Sequence, residues 1–441
     1  MGRRFGTDGI RGEVGSEITV GLALALGRAV GYRFGAAGES VLLGRDTRRS
    51  GEMLTAALAA GIMATGTDVI DLGVVTTPCL VHASSETGGA AIMVSASHNP
   101  APDNGLKVVV AGRKADDDVE NELERLLDDA SEIPSLPNAV LGRMGPERGS
   151  LAAYQRHLVE IAGDAFRGLR LGIDCANGSA SFIAPDLFRS LGADVTVLFD
   201  APDGMNINNG CGSTHPERLA ETVAAAGLDV GFAFDGDADR LIAVDERGEL
   251  VDGDSVMGIC ALARLAAGTL RNRLLVVTVM TNGGLERVVR QAGGTIIRTP
   301  VGDRHVLAAM EHHDAILGGE QSGHIIFRDR ATTGDGLVTG IELVRAMRAA
   351  GQSLSELGDR ILRLPQVMIN SDADRRDDWQ DDPDFSAAVT RATLAIGDRG
   401  RILVRPSGTE PKIRIMVEGE DAEEIELIAR ELGTLAEARL N

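Results

Sequence analysis

The sequence predicts an α/β protein: three βαβ-type mixed-sheet domains whose loops face one shared cleft, followed by a C-terminal α+β domain. Three observations carry that expectation. Short apolar strand-like runs alternate with helical periodicity over most of the chain. Unusual polar loops, Ser95–His98, Asp235–Asp239 and Glu320–His324, follow strand-like runs in three separate stretches, where open α/β sheets collect their ligands. The 441 residues, 44% of them hydrophobic, exceed one ordinary domain and suffice for several cores.

Val41–Leu42–Leu43–Gly44 reads as a buried strand. A helix follows, with Met53, Leu54, Ala57, Leu58, Gly61 and Ile62 on one face. Asp68 to Leu72 and Ala90 to Val94 are further strands, and domain I is assigned residues 1–150. Domain II, 151–252, has strands at Leu169–Asp174, Val195–Phe199 and Val230–Phe234, with a helix near Ala184–Leu191. Domain III, 253–365, has strands at Leu274–Val279, Thr295–Arg298 and Ala315–Leu317. Ile133–Pro134–Ser135–Leu136–Pro137, Val251–Asp254 and Leu364–Pro365 mark the boundaries. Domain IV, 366–441, combines a helix, a strand pair around Arg401–Val404 and Lys412–Val417, and an amphipathic helix from Asp421. The acidic stretch Asp372 to Asp384 makes Leu364 to Asp374 read as a hinge.

Composition narrows the function. A net charge of −21 opposes nucleic acid and anionic membranes as partners. No apolar run reaches the roughly 18 residues of a membrane span, and the N-terminus lacks an apolar signal core, so the expectation is a cytoplasmic protein. Cys79, Cys175, Cys211 and Cys260 are scattered without a Cys-x-x-Cys pair, which indicates neither zinc nor disulfides. Only Lys107, Lys114 and Lys412 among the 44 basic residues are lysines. Monomer and homodimer are both compatible with the sequence.

Phe232 to Arg240 is the most informative stretch. Asp235, Asp237 and Asp239 alternate directly after an apolar strand, so in an extended loop they point one way. Three converging carboxylates repel unless a cation lies between them, and hard oxygen ligands in that number suit one Mg²⁺ beside a phosphate. A plain acidic turn is the bland alternative. An EF-hand is a second, since Glu246 is twelfth from Asp235, but the sixth position needs glycine and holds Arg240. An aspartyl-phosphate phosphatase is a third, opposed by a separate candidate nucleophile.

That nucleophile lies in Val94–Ser95–Ala96–Ser97–His98–Asn99–Pro100, which ends a strand in a tight polar turn. Asp103–Asn104–Gly105–Leu106–Lys107 then returns a lysine beside it, as a general base or a charge facing phosphate. Gly318 to His324 offers Glu320, Ser322 and His324 between glycines, with Glu320 and Ser322 spaced to share a face toward sugar hydroxyls. Arg405–Pro406–Ser407–Gly408–Thr409–Glu410–Pro411–Lys412 combines hydroxyls, glycine and cations as a phosphate cradle. Arg3, Arg4 and Arg11, with Arg45, Arg48 and Arg49, supply a further cationic patch for an anionic substrate.

These loops, with Phe5–Gly6–Thr7–Asp8–Gly9–Ile10–Arg11–Gly12, resemble the α-D-phosphohexomutase family in order and over the whole chain. The resemblance implies a phosphoserine at Ser97, and Mg²⁺ held by the Ser97 phosphate with Asp235, Asp237 and Asp239. It implies four domains around a central cleft, sugar contacts from Glu320 and Ser322, and phosphate contacts from Arg405, Ser407, Gly408 and Thr409. Ser97, Lys107, His324 and Arg11 are the expected catalytic residues, with Lys107 and His324 both candidates for the general base. The expected activity is an intramolecular phosphotransfer through a 1,6-bisphosphate, with a hexose or hexosamine 1,6-bisphosphate as activating donor. Asp174 to Gly178, Asn206 to Glu217 and Gly318 to Phe327 direct the expectation to glucosamine 6-phosphate and glucosamine 1-phosphate. Glucose or mannose phosphates are the alternative substrates, and a non-enzymatic metal or sugar-phosphate binder is the alternative class.

Overall fold

The computed structural model describes residues 4–6, 8–35, 39–147, 149–407 and 411–441. It divides into two compact units: Met1–Met280 with Ala292–Asp359, and Thr281–Gln291 with Arg360–Asn441.

The first unit contains three sheets. In the first, the order is Ile10–Glu13, Asp103–Val110, Ala90–Val94, Val41–Arg45, Val69–Val74, Met144–Gly145, with Arg113–Lys114 paired to Asp103–Val110. Ala90–Val94 is buried along its whole length, which explains a continuous apolar run rather than an alternating one. It runs parallel to Val41–Arg45 and antiparallel to Asp103–Val110, placing Lys107 opposite Met93. The second sheet has the order Leu250–Val251, Leu241–Asp245, Val230–Phe234, Arg170–Asp174, Asp194–Leu198. The third is Thr295–Thr299, Leu274–Thr278, Leu317–Gly319, Ile325–Phe327. The Ser97, Asp235 and Glu320 loops each leave the carboxyl end of a strand from a different sheet, as expected.

The helices Val20–Phe34 and Gly51–Met63 pack against each other through glycine. A Cβ at Gly61 would lie 2.2 Å from the Leu24 carbonyl oxygen, and one at Gly27 would lie 2.3 Å from that of Leu58. The Thr19 hydroxyl starts the first helix by accepting from the Leu22 amide at 3.1 Å.

In the second unit, Lys412–Gly419 is the central strand between Gln366–Asp372 and Gly400–Pro406, all antiparallel. Pro383–Ile396 and Ala422–Leu440 close its core, where Phe385, Ile413, Ile415, Val417 and Leu432 are buried. Asn282 belongs here because its side chain both donates to and accepts from the Leu364 backbone, at 2.9 and 3.0 Å. The hinge expected at Leu364 to Asp374 is corrected: Gln366 to Asp372 pairs residue for residue with Glu418 to Lys412. A rotation there would break the sheet's hydrogen bonds. Among the described residues, no helix is long and apolar enough to cross a membrane.

Candidate active site

Ser97 stands in the turn after Ala90–Val94, with left-handed backbone, φ 54°. The Asn99 amide bonds back to the Ala96 carbonyl at 3.1 Å, and the Ser97 amide donates to Ser95 Oγ at 2.9 Å. The turn leaves Ser97 only 1% exposed. Its Oγ donates to Asp235 Oδ2 at 2.5 Å and lies 3.3 Å from His98 Nδ1.

Asp235, Asp237 and Asp239 are buried, with ligand oxygens within 4.8 Å of one another. They converge for a different reason from the extended loop expected: the chain turns, with the Ala238 amide bonded to the Asp235 carbonyl at 3.1 Å and Ala238 at φ 57°. Asp237 Oδ1 and Asp239 Oδ1 are buried without a hydrogen-bond partner among the described residues. Burial, then the neighbouring Asp239 and Asp237, pushes Asp235 well above the usual carboxylate range. Orphaned hard oxygens beside a serine hydroxyl fit a divalent cation such as Mg²⁺. Glu246 lies elsewhere, accepting from Ser355 Oγ at 2.5 Å, so no EF-hand ligand set forms.

A chain of opposite charges connects this triad to His324, at the end of the Glu320 loop. Lys107 Nζ meets Asp237 Oδ2 at 2.7 Å and Asp8 Oδ2 at 3.2 Å. Lys114 Nζ bonds Asp8 Oδ1 at 2.7 Å and also Asp303. Asp303 Oδ2 is 3.7 Å from His324 Nε2, and His324 Nδ1 is 3.5 Å from Asp239 Oδ2. Burial alone would discharge these groups, but the neighbouring charges win. Against desolvation, Asp237, Asp8 and Asp239 raise Lys107, while His324 and Lys107 hold Asp239 well below its ordinary value. His324 is likewise raised by Asp239 in spite of burial. Its ring fits where Gly334 leaves room, since a Cβ there would lie 2.4 Å from the ring.

A cavity of about 380 Å³ opens beside this chain, lined by Arg11, His98, Asp239, Arg240, Glu320 and His324 among others. Arg11 enters from the strand Ile10–Glu13 and is ion-paired to Asp8. Glu320 Oε1 accepts from the Gly302 amide at 2.9 Å. Ser322 is exposed and not part of this lining, because a turn closed by Gly323 N–H to Glu320 O, 3.0 Å, breaks the expected alternation. Lys107 is buried outside the lining. Asp8, Lys114, Asp303 and Arg240 were not assigned roles from sequence. Lys114 had a signal in the scarcity of lysine, and Arg240 in its place beside Asp239; Asp303 had none.

Arg48 does not join a cationic surface patch: its side chain is fully buried and bonds loop carbonyls. Arg45 is tied to Asp71 at 3.2 Å, and Arg4 to Glu124 and Asp128, each at 2.8 Å. Arg3 lies outside the described residues.

In the second unit, Arg405 and Arg414 are directly opposite across an antiparallel pair. Burial and then Arg414 lower the Arg405 guanidinium, a like-charge arrangement that an anion would relieve. Ser407 is 3% exposed; its carbonyl accepts from Arg376 at 3.0 Å and its hydroxyl from Arg414 at 3.4 Å. Gly408 and Thr409 lie outside the described residues. Lys412 sits 3.9 Å from Asp372. Arg376 and Arg414 were not singled out in the sequence.

A serine hydroxyl at a strand end, a carboxylate triad fit for a hard cation, and a charged cavity define a protein built for phosphoryl-group chemistry. The comparisons with known proteins narrow that class. Phosphoglucomutase/phosphomannomutase alpha/beta/alpha domains I, II and III match residues 2–133, 152–248 and 252–364, and the C-terminal domain matches 368–434. The chain belongs to the phosphoglucomutase/phosphomannomutase family. It is 48% identical to the phosphoglucosamine mutase of Symbiobacterium thermophilum, covering 100% of both chains. It is 47% identical to that of Moorella thermoacetica, covering 99% of each. A phosphoglucomutase/phosphomannomutase family protein from Burkholderia thailandensis superposes with TM-score 0.85 at 29% identity, over 100% of this chain and 99% of that one. The fold also matches Aspergillus fumigatus N-acetylphosphoglucosamine mutase, crystallised with GlcNAc-6P and magnesium, at TM-score 0.66 and 18% identity, over 99% and 96%.

Proposed function

We propose that the chain interconverts glucosamine 6-phosphate and glucosamine 1-phosphate through a phosphoserine at Ser97 and a glucosamine 1,6-bisphosphate intermediate. The observation that carries the reading is Ser97 Oγ held 2.5 Å from Asp235 at the edge of the buried triad, in a chain 48% identical to a phosphoglucosamine mutase.

In the forward half, the sugar's free hydroxyl oxygen attacks phosphorus on Ser97. The P–Oγ bond breaks and the bisphosphate forms. In the second half, Ser97 Oγ attacks the other phosphate, whose bond to the sugar oxygen breaks. Phosphoryl transfer depends on placement and charge compensation. Mg²⁺, held by Asp235, Asp237 and Asp239 with the Ser97 phosphate, supplies charge neutralisation when bound.

Lys107, ion-paired on two sides and outside the cavity, acts as a fixed charge behind Asp237. His324 and Glu320 line the cavity and face the sugar, with His324 exchanging the proton of the reacting hydroxyl. Arg11, also in the cavity lining, adds positive charge there. In the second unit, Arg405, Ser407, Gly408 and Thr409 are the phosphate-binding residues. A hexose or hexosamine 1,6-bisphosphate charges a serine that has lost its phosphoryl group.

Two measurements test the reading. Intact-protein mass after incubation with glucose 1,6-bisphosphate should show one phosphoryl group on the wild type and none on Ser97→Ala, which should also lose turnover. Near-normal activity of Ser97→Ala sinks the mechanism. kcat/KM for glucosamine 1-phosphate should exceed those for glucose and mannose 1-phosphates; preference for a neutral sugar replaces the substrate assignment.

A further inference from the structure

Three elements converge on one carbonyl oxygen, that of Ser97. Arg48 Nη2 donates to it at 3.0 Å and to Asn99 O at 2.7 Å. Asn208 Nδ2 donates to the same two oxygens, at 2.8 and 3.0 Å. Gly236, between two of the triad aspartates, passes so close that a Cβ there would lie 2.6 Å from Ser97 O. Arg48 extends the grip along the loop, bonding Pro100 O and, at 2.9 Å, Asp103 O.

The guanidinium is itself fixed. Its Nε donates to Asp46 Oδ2 at 2.9 Å, and the same oxygen accepts from Ser95 Oγ at 2.6 Å. Ser95 Oγ in turn accepts the Ser97 amide at 2.9 Å. Both peptide ends of Ser97 are thereby anchored to one buried ion pair. Asn208 is held separately, through its amide on Ala176 O at 2.9 Å.

From this geometry we propose that Arg48 and Asn208 are joint positioning residues for the phosphoryl-carrying serine, clamping its carbonyl so that Oγ keeps one position with or without its phosphoryl group. The proposal rests on the mutase reading above. Ser97 occupies a backbone region that non-glycine residues seldom hold, and such a conformation persists where surroundings over-determine it. Oγ alternates between neutral hydroxyl and charged phosphate ester in every cycle. A loop free to relax would follow that change and lose the aligned approach on which transfer depends. Because Arg48 is neutralised by Asp46, its contribution is directional rather than electrostatic. Neither residue lines the cavity, and both bond carbonyl oxygens of the loop, not Ser97 Oγ.

The test uses the full chain as wild type, Asn208→Ala, Arg48→Lys and the double variant. Phosphorylation of Ser97 by glucose 1,6-bisphosphate is followed by intact-protein mass against time, alongside kcat and KM for glucosamine 1-phosphate. Each single variant should slow labelling and kcat about tenfold or more, with KM within about twofold, since misplacement raises the barrier without removing a substrate contact. The double variant should lose less than the product of the single losses, because both donors serve the same two carbonyls. A folded Asn208→Ala chain labelled at the wild-type rate overturns the clamp, as does a loss confined to KM. If Arg48→Lys does not fold, Asn208→Ala decides alone. A wild type that takes up no phosphoryl group overturns the mutase reading and the clamp with it; a labelled wild type with undiminished variants overturns the clamp only.

Discussion

Asp335 shows how a single buried carboxylate divides between structure and cost. Its side chain caps the helix Gly336–Ala350 by accepting from the Val338 amide at 3.0 Å, and it accepts from Tyr154 Oη at 2.8 Å. Burial nevertheless raises its pKa from 3.8 to about 6. The raised value means the native state holds a proton that the unfolded chain has released. Stability therefore falls as pH rises between about 4 and 6, by roughly 3 kcal/mol from this group at 1.36 kcal/mol per unit. Asp335→Asn keeps a good helix cap and removes the titration. In urea melts, the variant should gain on wild type from pH 4 to pH 7; a constant difference across that range would refute the assignment. Sequence could not supply this, since a titration shift depends on what folds over the residue. Ser97 and the three aspartates, by contrast, were visible because their residue types and spacing are themselves the chemistry.

At the scale of elements, the helix pair Val20–Phe34 and Gly51–Met63 sets two effects against each other. Gly61→Ala gains up to about 1 kcal/mol in helix propensity. The added methyl would lie 2.2 Å from the Leu24 carbonyl oxygen, backbone that moves only if the helices separate. Overpacking of that kind costs about 1–3 kcal/mol. A net loss of stability of about 1–2 kcal/mol is expected in denaturant melts, and a gain would show that the helices separate freely. The apolar runs from Val41, Ala90 and Val230 were legible as strands because strands buried on both faces are continuously apolar. Gln366–Asp372 was missed because its short apolar run, Val367 to Ile369, gives way to Asn370, Ser371 and Asp372 at the start of an acidic stretch, which resembles a linker. Its strand character comes from pairing with Lys412–Gly419, a distant partner.

For the whole molecule, removal of divalent metal is the broadest test. Three buried carboxylates with two orphaned oxygens repel in the folded chain and much less in the unfolded one, so a bound cation stabilises the native state. Chelation should abolish turnover and lower the transition temperature of the unit carrying the triad. Restoring Mg²⁺ to about 100 times its dissociation constant should return about 2.7 kcal/mol. Unchanged melting with and without Mg²⁺ would leave the triad without a structural metal.

The sequence by itself determined the α/β class, the order of strands bearing functional loops, and the four motifs that resemble the phosphohexomutases. Those features are local: periodicity, turn residues and spacing survive without knowledge of distant contacts. Only the tertiary structure decided that Lys107, Asp8, Lys114, Asp303 and His324 form one chain of alternating charge. It also decided that Arg48 grips the serine loop instead of facing solvent, and that Ser322 turns away from the cavity lining. These outcomes depend on which side chains fold together from far apart in sequence. Coulomb energy and hydrogen bonding act on that final separation, which residue spacing along the chain does not encode.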